Sequence, residues 1–312
     1  MNFLEFPATS ADVWDVELIH QAISSAAPPK QPTLEGGRGE SNEYLARLCN
    51  LPPLNSIANQ VLSLSADADA SIDEISDVMR SDPALAADVL LLANSPLFGF
   101  RSKIQLIRHA IAMLGIDRIK TIAFTAAMRA FVGTGGGWFV RPCWLHSVAS
   151  AIIAEEIAPQ FGLRGDVAYP LLLLHDIGRL GLLKSNEGEY TELLTGRFDS
   201  PEDLLAAETA LFKVDHALAG SWLVKTWGYP PAFSRACEQH HAPFSEDDSD
   251  LLRLTKVSCR IAETLGFAAI SYPKGSSYRE LIDSLPPAVQ HKEFPPGAEM
   301  AAMVESRLKG FD

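Results

Sequence analysis

An apolar stretch with two adjacent polar side chains near its centre constrains the fold of this chain more than any other segment. Residues 169–183 read YPLLLLHDIGRLGLL, which is apolar on almost every face of a helix. A helix with this pattern is buried in a protein core. A carboxylate inside it is costly unless a cation, a metal ion or hydrogen-bond donors replace its lost hydration. The sequence therefore predicts a buried helix in which Asp176 has a specific partner.

Helical periodicity continues over most of the chain, and strand-like alternation is nearly absent. Asp82 offers a capping oxygen directly before Pro83, a combination typical of a helix start. The sequence predicts an all-α protein of two packed helical lobes, residues 45–132 and 138–270, joined by a flexible glycine run at 133–137. Helices are predicted at about 83–94, 103–114, 117–131, 143–158, 168–183, 202–227, 231–241, 249–266 and 297–309.

Two extensions are predicted to flank the two lobes. Residues 1–44 contain a short amphipathic helix at 11–24 and a segment rich in proline, glycine and charge at 26–42, which is typical of a linker. Residues 271–312 form the second extension, which begins with a loop and carries the last predicted helix. The sequence assigns no role to either extension.

Charge and composition argue against several classes of partner. The formal net charge is −13, which repels phosphate backbones and disfavours direct binding of nucleic acid. The longest apolar stretch, residues 169–174, is far too short to cross a membrane, and the start of the chain does not resemble a signal peptide. The four cysteines form no CxxC pair, as is typical of reduced thiols. We expect a cytoplasmic protein that binds neither nucleic acid nor membrane.

Histidines on apolar helix faces mark the second lobe as the place where chemistry could occur. One such histidine is usually a hydrogen-bonded core residue, but several of them beside a buried aspartate make a metal site a competing interpretation. Imidazole and carboxylate ligands suit Zn, Mn, Fe or Ni, and the sequence does not give their geometry. The candidate ligands are His146, His175, Asp176, His216, His240 and His241.

Three segments of the first lobe resemble the N-terminal half of HDOD domains, the HD-related output domains of bacterial signalling. These segments are LPPLNSIANQVLSL, SDPALAADVLLLANS and IRHAIAMLGIDRIKTIAF. The order of the six candidate ligands is similar to the metal-binding skeleton of the HD superfamily, phosphohydrolases in which a metal activates water. The resemblance covers about residues 45–265 and implies an all-α signalling protein with an HD-like second lobe.

One position departs from the catalytic pattern of the HD superfamily. HD hydrolases typically close their metal site with an aspartate on a later helix, in a segment like VADRLA. The corresponding segment here is VSCRIA, so Cys259 stands where the aspartate is expected. A thiolate could bind Zn, but it does not reproduce a hard bridging carboxylate. The acidic and GYP residues that follow the double histidine in HD-GYP hydrolases are also missing, because residues 242–245 read APFS.

These observations leave three hypotheses about function. In the first, the chain is a non-catalytic regulatory protein that acts through signalling partners. In the second, it is a metal-dependent phosphohydrolase that acts on a nucleotide or a cyclic dinucleotide. In the third, the histidine cluster is a sensor for a metal or a small ligand. We expect no more than one bound divalent ion, and the sequence names neither the partner nor the input signal nor the oligomeric state.

Overall fold

The computed structural model describes residues 43–54, 60, 71–95, 102–133, 138–273 and 275–309. All regular elements within these residues are helices, which confirms the predicted all-α class. The helix predicted at 11–24, the linker predicted at 26–42 and residues 134–137 of the glycine run lie outside the described residues. Among the helices of the described part, none is long and apolar enough to cross a membrane.

Local capping sets the helix boundaries of the first lobe. Ser71 and Glu74 form a capping box at the start of α2, and Asp82 accepts hydrogen bonds from the backbone N–H groups of Ala84 and Leu85 at the start of α3, as predicted. α3 packs against α5, and α2 packs against α4. The helices are α1 (Glu43–Cys49), α2 (Ile72–Arg80), α3 (Pro83–Ala93), α4 (Ile107–Leu114) and α5 (Ile116–Val132).

The second lobe surrounds the long helix α6, which packs against α7. A 3-10 turn at Ala158–Phe161 follows α6, and a π-helical turn at Glu263–Phe267 follows α13. The helices of this lobe are α6 (Val140–Ile157), α7 (Gly165–Leu174), α8 (Ile177–Ser185), α9 (Glu187–Leu194), α10 (Pro201–Phe212), α11 (His216–Thr226), α12 (Pro231–Gln239) and α13 (Asp250–Ala262). The chain continues with α14 (Tyr278–Asp283), α15 (Pro287–Gln290) and α16 (Gly297–Leu308), the last of which packs against α6.

Two helices that the sequence predicts as continuous are each broken. The prediction at 168–183 is wrong because α7 ends before His175, and α8 starts only after Asp176, whose φ is −111° and ψ 23°. The prediction at 202–227 is wrong because Lys213 adopts a left-handed φ of 63° and Asp215 then caps α11. In the second break, the Asp215 carboxylate accepts the Leu218 N–H, so a side chain replaces a helical hydrogen bond.

A continuous apolar core joins the two lobes, and α5 of the first lobe packs against α7 of the second. The Oγ1 of Thr125 lies 3.0 Å from the buried Tyr169 hydroxyl oxygen at this contact. The buried Lys120 lies at the same contact, 3.5 Å from the Asp166 carboxylate. The sequence places α1 in the first lobe, but this helix packs against α8 and α11. The predicted domain boundaries remain a prediction.

α8 and α11 approach each other closely at two glycines, and this contact positions the residues at their N-terminal ends. A Cβ atom added at Gly178 would lie 1.9 Å from the carbonyl oxygen of His216 and 2.4 Å from the backbone nitrogen of Gly220. Real Cβ atoms do not approach backbone atoms so closely, so the two helices can pack this way only with glycine at position 178. The contact holds His216, at the start of α11, beside the turn that precedes α8.

We expect Gly178→Ala to lower the free energy of unfolding by about 3 kcal/mol, because the added methyl must push two backbones apart. The matched control is Gly188→Ala in α9, where an added Cβ meets nothing within 4 Å. The control should leave stability unchanged or raise it by up to about 1 kcal/mol through the better helix propensity of alanine. Urea denaturation of both variants measures the difference, and equal stabilities would contradict the described packing of α8 against α11.

Candidate functional site

Two helices end at a histidine whose ring forms a hydrogen bond with the backbone carbonyl three residues earlier. His175 follows α7 and donates its Nδ1–H to the Leu172 carbonyl at 2.5 Å, and His240 follows α12 and donates its Nδ1–H to the Cys237 carbonyl at 2.6 Å. The last carbonyls of a helix lack intrahelical partners, so the rings satisfy them. Because a carbonyl only accepts, each Nε2 is left with a lone pair. Both Nε2 atoms are buried, and neither has a hydrogen-bond partner among the described residues.

His146, which lies on α6, is the third histidine beside His175 and His240. Its Nδ1–H donates to the carbonyl of Phe267 at 2.9 Å, and its Nε2 lies 3.6 Å from Sγ of Cys259. The ring centroids of His146 and His175 are 5.2 Å apart, and those of His175 and His240 are 5.0 Å apart. Ligand atoms of His146, His175 and Cys259 all lie within 4.8 Å of one another, a spacing that one metal ion could bridge.

A second set of contacts fixes His216 at the start of α11. The Glu208 carboxylate accepts both the backbone N–H of His216 at 2.8 Å and its Nδ1–H at 2.7 Å. Tyr190 donates its hydroxyl to the other oxygen of Glu208 at 2.5 Å. The Nε2 of His216 lies 2.9 Å from a guanidinium nitrogen of Arg179 and 3.0 Å from Nε2 of His241. Because arginine only donates, this Nε2 is an acceptor whose lone pair is already directed at a cation.

Within the part of the chain that the structure describes, Asp176 has one strong partner, Arg179 on the next helical turn. Nε of Arg179 donates to Oδ2 of Asp176 at 2.9 Å, while Oδ1 lies 3.6 Å from Nε2 of His216 and 3.9 Å from Nε2 of His240. Another guanidinium nitrogen of Arg179 lies 3.8 Å from the Glu208 carboxylate. Oδ1 is buried and has no hydrogen-bond partner among the described residues. The guanidinium therefore links the two buried carboxylates.

Sequence reasoning missed Arg179 and Glu208. The signal for Arg179 is present in the sequence, since an arginine three residues after the aspartate stands in the same apolar helix and needs a counter-ion as much as the aspartate does. Glu208 gives no comparable signal, because a glutamate in an ordinary amphipathic helix is normally exposed. Its burial at 0% exposure follows only from how α10 packs.

Burial sets the protonation states of the site. It lowers the pKa of His146 to about 3, and it also lowers the pKa values of His175, His240 and His241, so these rings are neutral. Burial tends to raise the pKa of Asp176, but the charge of the Arg179 guanidinium outweighs it and the pKa is lowered. Burial raises the pKa of the Cys259 thiol. In this site, the two buried carboxylates of Asp176 and Glu208 face one guanidinium, that of Arg179.

The six candidate ligands predicted from the sequence lie in one cluster, but they fall into two groups. His146 and His175 lie with Cys259. His216, His240 and His241 form a second group, in which the ligand atoms also all lie within 4.8 Å of one another. Asp176 lies between the groups. His146, His175, Asp176, His216 and His240 are no more than 3% exposed, and only His241 is half-buried. Whether any of these side chains binds a metal remains a prediction.

Comparison with known proteins gives a relative in sequence and solved structures of similar fold, all of low sequence identity. An uncharacterized protein of Treponema pallidum is 23% identical over 201 residues, a region that spans 62% of this chain and only 38% of that protein. The solved structure of an HDOD domain protein of unknown function from Geobacter sulfurreducens has a TM-score of 0.71 and 24% identity, and covers 95% of this chain and 98% of that chain.

Two further solved structures share the fold. A proposed phosphohydrolase from Shewanella amazonensis has a TM-score of 0.64 and 21% identity over 87% of this chain and 98% of that chain. A proposed signal transduction protein from Marinobacter aquaeolei has a TM-score of 0.63 and 20% identity over 96% of this chain and 66% of that chain. The model of the HDOD domain matches residues 51–243, which is more than half of the sequence. The chain therefore belongs to the HDOD domain family.

Proposed function

We propose that the chain is a regulatory signalling protein that does not hydrolyse phosphate esters and acts through protein partners. Membership of the HDOD family supports a signalling role, but the structural relatives bear both signalling and phosphohydrolase descriptions. Because one fold can host several functions, the choice must come from the site itself. The observation that carries the proposal is the guanidinium of Arg179 inside the cluster.

Arg179 is a permanent cation inside the cluster of candidate ligands. It is hydrogen-bonded to Asp176 and His216, and it lies 3.8 Å from Glu208. A guanidinium keeps its charge in proteins, and a divalent ion beside it in a poorly solvated site would be strongly repelled. A paired hard-ion centre therefore conflicts with the arrangement of these side chains.

Two further features favour a non-hydrolytic site. The carboxylate that closes the metal site in HD hydrolases is replaced by Cys259, whose soft sulfur suits a single Zn better than a pair of hard ions. The imidazole and carboxylate groups at the centre are almost completely buried. A nucleotide needs a pocket of several hundred Å³, so a phosphoester could reach these groups only after helices separate.

We expect no turnover of nucleotides, cyclic dinucleotides or phosphomonoesters with Mg, Mn, Zn, Fe or Ni. The assay compares the wild type with His175→Ala, Asp176→Ala and a matched control, His291→Ala, which removes an exposed histidine far along the chain. Hydrolysis by the wild type and His291→Ala that is lost in both site variants would contradict the proposal. Activity that survives in all four proteins belongs to a contaminant and leaves no turnover to assign to the site.

We expect Arg179→Met to lower the free energy of unfolding by roughly 3–5 kcal/mol, because it leaves Asp176 and Glu208 buried without a cation. The matched control is Arg80→Met, which breaks an exposed ion pair with Asp77 and should cost less than about 1 kcal/mol. Denaturation at neutral pH measures both changes. A cost for Arg179→Met no larger than that of the control would show that the guanidinium is not the internal counter-ion of the cluster.

The unpartnered buried atoms favour a second candidate function, the binding of one divalent ion for structure or sensing. Nε2 of His175, Nε2 of His240 and Oδ1 of Asp176 are buried without partners among the described residues, and the first of these belongs to the group formed by His146, His175 and Cys259. Nitrogen and sulfur are the ligand atoms that Zn²⁺ takes in structural sites, and His146, His175 and Cys259 supply three of the four that such a site needs. A zinc ion held there would stabilise the Cys259 thiolate against the effect of burial.

We expect protein purified without a metal-affinity tag to contain no more than about one equivalent of transition metal, bound through His146, His175 and Cys259. Elemental analysis of the wild type, His175→Ala and His291→Ala measures this content. The single-ion candidate requires the metal to be lost in His175→Ala and retained in His291→Ala. A wild-type content below about a tenth of an equivalent after incubation with Zn²⁺ and desalting would reject it.

A further inference from the structure

We propose that residues 275–309, which we call the strap, control the contact between the two lobes through the carboxylate of Glu155. The docking of α16 on α6 and the packing of α5 against α7 are then stabilised together and loosened together. The strap lies outside residues 51–243, which match the HDOD model, and the sequence assigns no role to it. The inference goes beyond the proposed function, because it requires neither a metal ion nor a particular partner.

Contacts with α6 and with the turn that follows it dock the strap on the second lobe. α16 packs against α6, and its buried side chains Met300, Val304 and Leu308 recur every four residues as a single apolar stripe. Nearer the start of the strap, Nζ of Lys292 donates to the carbonyl of Gln160 at 2.6 Å. Gln160 belongs to the 3-10 turn after α6. The strap is therefore held along one helix of the second lobe.

Glu155, on the same helix, joins the strap to the first lobe. Its Oε2 accepts a hydrogen bond from Arg307 on α16 and another, at 3.3 Å, from Arg118 on α5. The side chains of Glu155, Arg307 and Arg118 are 20%, 14% and 38% exposed, so water and salt screen them less than fully exposed pairs. One oxygen atom thus connects the strap, the second lobe and the first lobe.

The Glu155 side chain is confined by the start of α7 as well as by the two arginines. A Cβ atom added at Gly165, the first residue of α7, would lie 2.9 Å from Cγ of Glu155 and 3.0 Å from its carbonyl oxygen. A glutamate that is fixed in one geometry has already lost its rotamer entropy. Once Arg307 holds the carboxylate, the contact with Arg118 costs less entropy. This saving is the physical source of the coupling.

The charges of this triad lie beside the polar contact that joins the lobes. There the Oγ1 of Thr125 on α5 is 3.0 Å from the hydroxyl oxygen of Tyr169 on α7. Burial raises the pKa of Tyr169 to about 12, and the charges of Arg307, Glu155 and Arg118 also act on this pKa. A change at Glu155 therefore occurs close to the side chains that hold α5 against α7.

The docking of α16 is not fully satisfied, which favours its release. Nε of Arg307 is buried and has no hydrogen-bond partner among the described residues. A buried donor without a partner costs free energy, and water would satisfy it when α16 detaches. Because coupling between two sites is reciprocal, a partner that detaches the strap would loosen the lobe contact, and a partner that separates the lobes would loosen the strap.

Two other interpretations make different predictions. In the first, the strap is a local appendage whose contacts do not affect α5. In the second, the two arginines compete for Oε2 of Glu155, so that loss of Arg307 strengthens the contact with Arg118. Native-state hydrogen exchange of the full-length protein, resolved by helix, separates these cases. The proteins are the wild type, Arg307→Met, Arg118→Met and the matched control Arg279→Met, which removes an arginine of the strap whose side chain is 92% exposed.

We expect Arg307→Met to raise the exchange rates of both α16 and α5 by about fivefold or more, because it removes a partly shielded hydrogen bond between charged groups. Arg118→Met should raise the rates of the same two helices, since the coupling is reciprocal. The amides of α11, which packs against α8 and α12, should keep their wild-type rates in both variants. Arg279→Met should leave all three helices within about twofold of the wild type.

Faster exchange of α16 with unchanged exchange of α5 in Arg307→Met would overturn the inference in favour of a local appendage. Slower exchange of α5 in that variant would overturn it in favour of competition. An equal rise in α11 would show a general loss of stability and would also contradict the coupling. Each of these results leaves the non-hydrolytic proposal untouched.

Circular dichroism checks that the variants fold. If a methionine variant does not fold, a lysine at the same position keeps the charge but loses the planar set of donors. Such a variant, Arg307→Lys or Arg118→Lys, should give a smaller rise in the exchange rates of both α16 and α5. A rise confined to one of the two helices would overturn the inference.

Discussion

The ion pair between Asp176 and Arg179 is the interaction on which the second lobe depends. Two ions buried at 2% exposure are stable only if their remaining hydrogen-bonding groups find partners. Those partners form a chain from the Tyr190 hydroxyl through Glu208 and His216 to Arg179 and Asp176. The chain ties together α8, α9, α10 and α11, which are consecutive in sequence. Removal of any side chain from this chain of hydrogen bonds would leave a buried charge or dipole without a partner. The hydrogen bonds therefore fix the positions of the four helices relative to one another.

The backbone is shaped to bring these groups together. The break between α7 and α8 frees the Leu172 carbonyl for the His175 ring, and it lets Asp176 reach Arg179 within one turn. The contact of Gly178 with the backbone of α11 then sets the distance between His216 and that turn. α12 ends in the same manner as α7, so His240 faces His175 at 5.0 Å between ring centroids. The site is thus assembled at helix ends, where backbone groups are free to accept side-chain hydrogen bonds.

The all-α class could be predicted from the sequence because it depends on local patterns, whereas the clustering of the six candidate ligands is predicted from their resemblance in order to the HD skeleton. The cap at Asp82 and the apolar run around His175 need no tertiary information. The break after Leu174 could not be predicted in this way, because the apolar pattern of 169–183 fits one continuous helix and the break is stabilised by ring-to-carbonyl contacts. The burial of Glu208 and the separation of the histidines into two groups depend on how distant helices pack. Local periodicity does not contain that information.

The hydrogen bonds that prepare a histidine for a metal also stabilise the fold without one. The Nδ1–H groups of His175 and His240 satisfy carbonyls at the ends of α7 and α12, and that of His146 satisfies the carbonyl of the π-helical turn. Loss of any of these rings would leave a buried carbonyl with one partner fewer, at a cost of about 1–3 kcal/mol. Stability alone is therefore a sufficient reason for a chain to keep such a histidine set. The presence of His175 and Asp176 is then, by itself, weak evidence for catalysis.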